Sequence, residues 1–192
     1  MATKDDIIFL PHPSLRTRSK RVGFISDEVR QVIADMKAAT MDWEASRKHE
    51  VGVALAAVQI NQLIRVVIVR HNADDRNDHN FTVFINPEIT KYDGEITEEH
   101  EGCLSIKNIY GLVPRYNRVK VKALDETGRE FRVTAEGFVA RILQHEIDHT
   151  NGIVYIDHIK DRPDAFFRLD STGQLHSIDY EKEIAANRIL WE

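Results

Sequence analysis

The chain has 192 residues, 42% hydrophobic and 30% charged, with a formal net charge of −5. That is enough chain for one domain with a real core, and the composition is ordinary for a globular protein. The acidic balance argues against a general nucleic-acid binder with a basic face, though it leaves room for a local basic patch. No apolar run reaches the length of a membrane span, and MATKDDIIFLPHP places acids and prolines where a secretory core would sit. A cytoplasmic protein without a membrane anchor is the expectation. The single cysteine, Cys103, excludes an internal disulfide.

In chain order, residues 7–22 carry Pro11, Pro13 and several basic side chains and read as extended and irregular. Ser26 precedes Asp27 and Glu28, an N-cap followed by acids in the first turn. Val29, Val32, Ile33, Met36, Thr40 and Trp43 follow at helical spacing, which predicts a helix over about 27–47. Residues 52–60, GVALAAVQI, are too short and too apolar for a surface helix. Strands are expected at 65–70 and 81–86, joined by the polar HNADDRNDHN, with Pro87 ending the second.

Alternation over 119–124 and 131–135 flanks Asp125-Glu126-Thr127-Gly128, a hairpin signature. Phe138, Val139, Ile142, Leu143 and Ile147 then form a helical stripe, predicting a helix over about 136–150 that Gly152 stops. The tail, 179–192, reads as a short final helix docking Ile184, Ile189, Leu190 and Trp191. The expected fold is α+β, with antiparallel β-sheets packed around a central helix, and residues 1–192 forming a single catalytic domain.

The chemistry concentrates in Gln144-His145-Glu146-Ile147-Asp148-His149. Histidines four apart share one helix face, so their imidazoles can converge on one cation. A glutamate beside the first of them can reach a water at that cation and take its proton. A thermolysin-like protease would need a third ligand in a downstream acid, and none stands in a compelling setting. A metzincin would need a histidine where Tyr155 stands. Cys103, in Glu101-Gly102-Cys103-Leu104-Ser105, is the remaining candidate. A thiolate with two imidazoles leaves one tetrahedral position for water; the bland reading of Cys103 is a buried structural thiol.

Three segments together resemble the peptide deformylase family, which carries Gly-x-Gly-Leu-Ala-Ala-x-Gln, Glu-Gly-Cys-Leu-Ser and Gln-His-Glu-x-Asp-His in that order. Here they read GVALAAVQ (52–59), EGCLS (101–105) and QHEIDH (144–149). PHPSLR (11–16), INPEI (85–89) and VPR (113–115) are weaker echoes. The resemblance implies a metal-dependent hydrolase that removes the formyl group from the initiator methionine of nascent polypeptides. It implies Cys103, His145 and His149 as metal ligands and Glu146 as general acid and base. It implies Gln59 and the backbone N–H of Leu104 as oxyanion donors. Gly52, Val53, Ala54, Leu55 and Gly102 would border the peptide, with Arg115 contacting it further along. The implied metal is Fe(II), with zinc, nickel or cobalt as substitutes.

The implied partners are N-formylmethionyl nascent peptides. The ribosome is a further candidate that the mixed-charge tail leaves open; no membrane and no nucleic-acid readout are expected. One departure stands out: Ala54 replaces the second glycine of the first motif, adding a methyl near the substrate wall. It keeps two alternatives in play beside the protease reading: a slowed enzyme, or a weakly active deformylase-like protein that only grips a peptide.

Overall fold

The computed structural model describes residues 1–192 except 74, 187–189 and 192. Helix α1 spans Asp27–Ala45, begun by the Ser26 hydroxyl accepting from the Val29 N–H. Its buried residues, Ile33, Met36, Ala39, Thr40 and Trp43, recur every three or four positions and face the first core cluster. Strands β1 (Ala54–Ala56) and β2 (Val66–Arg70) pair antiparallel. In β2, Val66 and Ile68 point into the α1 side while Val67 and Val69 point the other way. Both faces are covered, which is why this strand reads as an unbroken apolar run.

Strand β3 departs from expectation. It runs Phe81–Cys103, far past the predicted stop at Pro87. Pro87 lies in a register shift between Ile85 and Glu88, where the ladder needs no donor from it. Asn86, at φ 52°, forms the bend, and its amide exchanges two 2.8 Å hydrogen bonds with the backbone of Val22. The far half of β3 pairs with β4 (Ile106–Leu124) as a largely exposed ribbon, so it lacks the alternation that would betray a strand. Glu98 and Glu99 are exposed on it.

The hairpin of β4 and β5 (Glu130–Glu136) forms as expected. Its turn is held by Asp125 Oδ1, which accepts from Thr127 and Arg129 N–H, with Gly128 at φ 85°. Strands β6 (Phe166–Leu169) and β7 (Leu175–Ser177) complete a bent seven-stranded sheet ordered β1-β2-β3-β4-β6-β7, with β5 branching from β4. Every strand pairing in it is antiparallel.

Helix α2 (Gly137–Thr150) lies inside this wrap, buried on nearly all sides from Ala140 onward. Ala140, Ile142, Leu143 and Ile147 join the second core cluster with β1, β2 and β4. Phe138 and Val139, read from the sequence as part of that stripe, are instead about half exposed at the helix start. Gly152 ends the turn at φ 77°, where a Cβ would come within 2.7 Å of the Arg16 carbonyl oxygen. Among the described residues, the tail has a helical turn at Glu181–Ala185. Ile184 and Leu190 dock in the third cluster as expected, and Trp191 Nε1–H donates to the Ile184 carbonyl. Ile189 lies outside the described residues.

Candidate active site

A cleft of about 350 Å³ opens where β1, the β3–β4 turn and α2 meet. Cys103 ends β3, and its sulfur points at α2. His145 and His149 sit one turn apart on α2, their rings at 74° with centroids 4.9 Å apart. The three potential ligand atoms all lie within 4.8 Å of one another, with Cys103 Sγ 3.2 Å from His149 Nε2. Segments 42 positions apart in the chain, Cys103 and His145, thus converge.

Glu101, two residues before the cysteine, organises this cluster. Its Oε2 accepts the Nδ1–H of His145 at 2.9 Å. That bond sets the tautomer and leaves the Nε2 lone pair free. The same carboxylate accepts from Arg115 Nε at 3.0 Å and from an Arg141 terminal nitrogen at 2.8 Å. Burial pushes the Glu101 carboxyl up, but the His145 hydrogen bond and the Arg115 charge outweigh it and hold it well below the usual range. The sequence placed Glu101 in a motif but assigned it no task; a carboxylate two residues before a ligand, in a motif with no other acid, was the available signal.

Glu146 follows His145 on the helix and lines the cleft. Burial raises its carboxyl to about 7, against the charge of His145, and its Oε2 has no hydrogen-bond partner among the described residues. A buried, unpartnered carboxylate oxygen is costly unless a ligand completes it. Gln59 stands in the 3-10 turn after β1. Its Oε1 accepts the Ala56 N–H at 2.9 Å, which orients the amide so that Nε2 faces Ser105 Oγ at 3.2 Å and Cys103 Sγ at 3.5 Å. Leu104, Val53, Ala54 and Gly102 also line the cleft, as do Ile142 and Trp43.

Three of the expected site residues do not line the cleft. Arg115 is 5% exposed, paired with Glu101 and Asp148, and does not line the cleft, because its guanidinium is consumed by those carboxylates. Gly52 and Leu55 also lie behind the wall: the Gly52 N–H donates to Glu44, and Leu55 is fully buried in the α1 cluster. β1 alternates, so Leu55 faces one core while Ala54 faces the other. The Ala54 methyl is 2% exposed and belongs to the cluster with Ile142 and Leu143, so it packs into the wall rather than projecting from it.

The donor set suits a first-row divalent cation: one cysteine sulfur and two imidazole nitrogens, one ring oriented by a carboxylate. A family model described as polypeptide deformylase matches residues 4–164. The chain belongs to the peptide deformylase family. Its relatives include peptide deformylases of Thermomicrobium roseum, 43% identical over 78% of this chain and 82% of that one, and of Cellvibrio japonicus, 39% identical over 80% and 85%. A peptide deformylase from Synechococcus elongatus in complex with actinonin superposes with a TM-score of 0.73 at 35% identity, covering 81% of this chain and 80% of that one.

Like other deformylases, the chain is a hydrolase that removes the formyl group from N-formylmethionyl peptides, and the family is one of metalloenzymes. The protease and inactive-binder readings are not favoured. No helix among the described residues is long and apolar enough to cross a membrane.

Proposed function

We propose that this cleft performs the deformylation, with Cys103, His145 and His149 holding one Fe(II), for which zinc, nickel or cobalt can substitute. The observation that carries the reading is the convergence of those three ligand atoms within 4.8 Å beside an unpartnered, buried Glu146. When bound, the cation supplies Lewis acidity toward water and toward the formyl oxygen.

The chain's own groups supply the rest. Glu146 takes the proton of the attacking water, a task that its raised affinity for protons suits, and returns it to the departing amine nitrogen. The Gln59 amide and the Leu104 N–H donate to the oxygen as negative charge develops; one such donor typically lowers a barrier by about 3 kcal/mol. Gln59 needs little reorganisation, because Ala56 already holds its carbonyl end. Val53, Ala54 and Gly102 border the peptide backbone, and the methionine side chain rests against Ile142. An apolar wall discriminates by about 1–3 kcal/mol per methylene, so methionine is preferred rather than required. The substrates are N-formylmethionyl nascent peptides, met at the ribosome in the cytoplasm, and the whole chain acts as one catalytic domain.

The test is formate release from a formyl-Met peptide by protein loaded anaerobically with Fe(II), alongside Glu146→Ala. Turnover at the wild-type rate by the metal-loaded variant removes Glu146 from the mechanism. Unchanged metal content in Cys103→Ser removes Cys103 from the ligand set.

A further inference from the structure

A second cleft, of about 480 Å³, opens elsewhere on the molecule and shares no lining residue with the active site. Arg18, Ser19, Arg21, Arg65, Glu88 and Tyr92 are among its lining residues. Arg65 is 8% exposed, and among the described residues its guanidinium hydrogen-bonds only neutral acceptors: the Pro87 carbonyl at 3.1 Å, Asn151 Oδ1 at 2.8 Å and the Thr150 carbonyl at 3.4 Å. Two of these belong to the C-terminal end of α2, whose partial negative charge accounts for part of the Arg65 cation. It accounts for neither Arg18 nor Arg21, both exposed and neither with an ion-pair or hydrogen-bond partner among the described residues. The one carboxylate in the lining, Glu88, stands 3.8 Å from Lys122. The Arg65 guanidinium loses affinity for its proton chiefly through burial, then through the charges of Arg18 and Arg21.

Between these arginines lies Ser19, 4% exposed, whose hydroxyl is buried without a partner among the described residues. Its backbone is held, the N–H donating to the Thr150 carbonyl at 2.9 Å, so the orphaned hydroxyl is not a consequence of a loose segment. A buried hydroxyl without a partner and three cations facing one carboxylate both call for an acceptor that carries negative charge.

We propose that this cleft binds a phosphate group, with Arg18 and Arg21 pairing its oxygens, the Ser19 hydroxyl donating to it and Arg65 supplying charge from behind. Guanidinium forks match tetrahedral oxyanions, and three cations favour a negatively charged ligand over a neutral one. Ile89, Tyr92 and Ile147 also line the cleft and offer an apolar surface for the remainder of a phosphate ester. The group can arrive as a small phosphate monoester or as a phosphodiester of a nucleic acid strand; the contacts to the phosphate are the same.

The experiment is titration of the metal-loaded full chain at low salt with inorganic phosphate, adenosine 5′-monophosphate and a short single-stranded RNA, comparing wild type with Arg18→Ala/Arg21→Ala and with Ser19→Ala. The double variant should bind phosphate at least about tenfold more weakly, the usual scale for lost charge-assisted hydrogen bonds. Ser19→Ala should lose a few-fold, and formate release should be unchanged in both. Binding of the monophosphate without RNA assigns a small ester, and RNA binding that phosphate displaces assigns a phosphodiester. No binding of any probe, or phosphate binding unaltered by the double variant, overturns the proposal; the second result would place the anion at the metal instead.

Discussion

Glu101 Oε2 lies 2.9 Å from His145 Nδ1, and the same buried carboxylate carries two arginines, Arg115 and Arg141. One side chain therefore orients a candidate metal ligand and neutralises the charge beneath the site. Metal affinity and fold stability are coupled through it.

Glu101→Gln keeps the volume and removes the charge. Metal affinity should fall about 10–100-fold, the usual scale for losing the carboxylate that orients a ligating histidine. Chelator competition measures it. An unchanged affinity would show that His145 needs no help to hold its tautomer.

Arg115→Met should act on stability rather than on the substrate. It removes the buried cation shared by Glu101 and Asp148, leaving Glu101 with Arg141 and Asp148 with His158, so the cost should reach at most the about 3–5 kcal/mol typical of breaking a buried pair. Urea unfolding should record that loss, while KM for longer formyl peptides should hardly move. A selective rise in KM with peptide length, at native stability, would restore Arg115 to the substrate path.

Gln59→Glu preserves the acceptor for the Ala56 N–H but exchanges the amide donor for a carboxylate facing Cys103. Turnover should drop about 10²–10³-fold, the range seen when one oxyanion donor is lost. Steady-state kinetics should place the loss in kcat; a change in KM alone would mean that Gln59 only shapes the cleft.

Glu146→Gln removes a carboxylate that burial already disfavours, so the fold should be retained or slightly more stable. Formate release should fall about 10²–10⁴-fold, as for a lost general acid and base, with metal content unchanged. Paired metal analysis and formate assay check both halves at once.

Gly102→Ala would bring a Cβ within 2.6 Å of the Tyr110 ring, whose hydroxyl donates to Glu50 at 2.8 Å on the cleft rim. The ring must move, and KM should rise. Adding Tyr110→Ala to Gly102→Ala should restore KM toward that of Tyr110→Ala alone; failure of that rescue would place the strain elsewhere.

Local elements were legible wherever one face of an element is buried and the other wet. The spacing of Ile33, Met36, Thr40 and Trp43 marked α1 to within two residues of its end, and the Asp125–Gly128 turn marked the β4–β5 hairpin. The outer half of β3 was not legible, because a ribbon exposed on both faces carries no alternation, and Pro87 was misread as a stop because its place in a bulge depends on the partner strand. At the site, the candidate ligands and Glu146 could be named from motifs. Arg115 could not be placed, since a guanidinium that binds substrate and one that ties two buried carboxylates look alike in sequence.

Residue types and short-range spacing determined the family, the α+β class and the chemical inventory: one thiol, two imidazoles on one helix face, one neighbouring carboxylate and one amide. Only the tertiary structure decided which of these groups meet, that Glu101 orients His145, that the Ala54 methyl packs into the wall, and that three arginines and a buried, unpaired Ser19 hydroxyl line one second cleft among the described residues. The reason is that helix periodicity acts over a few residues, whereas partners across a sheet and through the core are set by burial and electrostatics between segments the chain brings together only when folded.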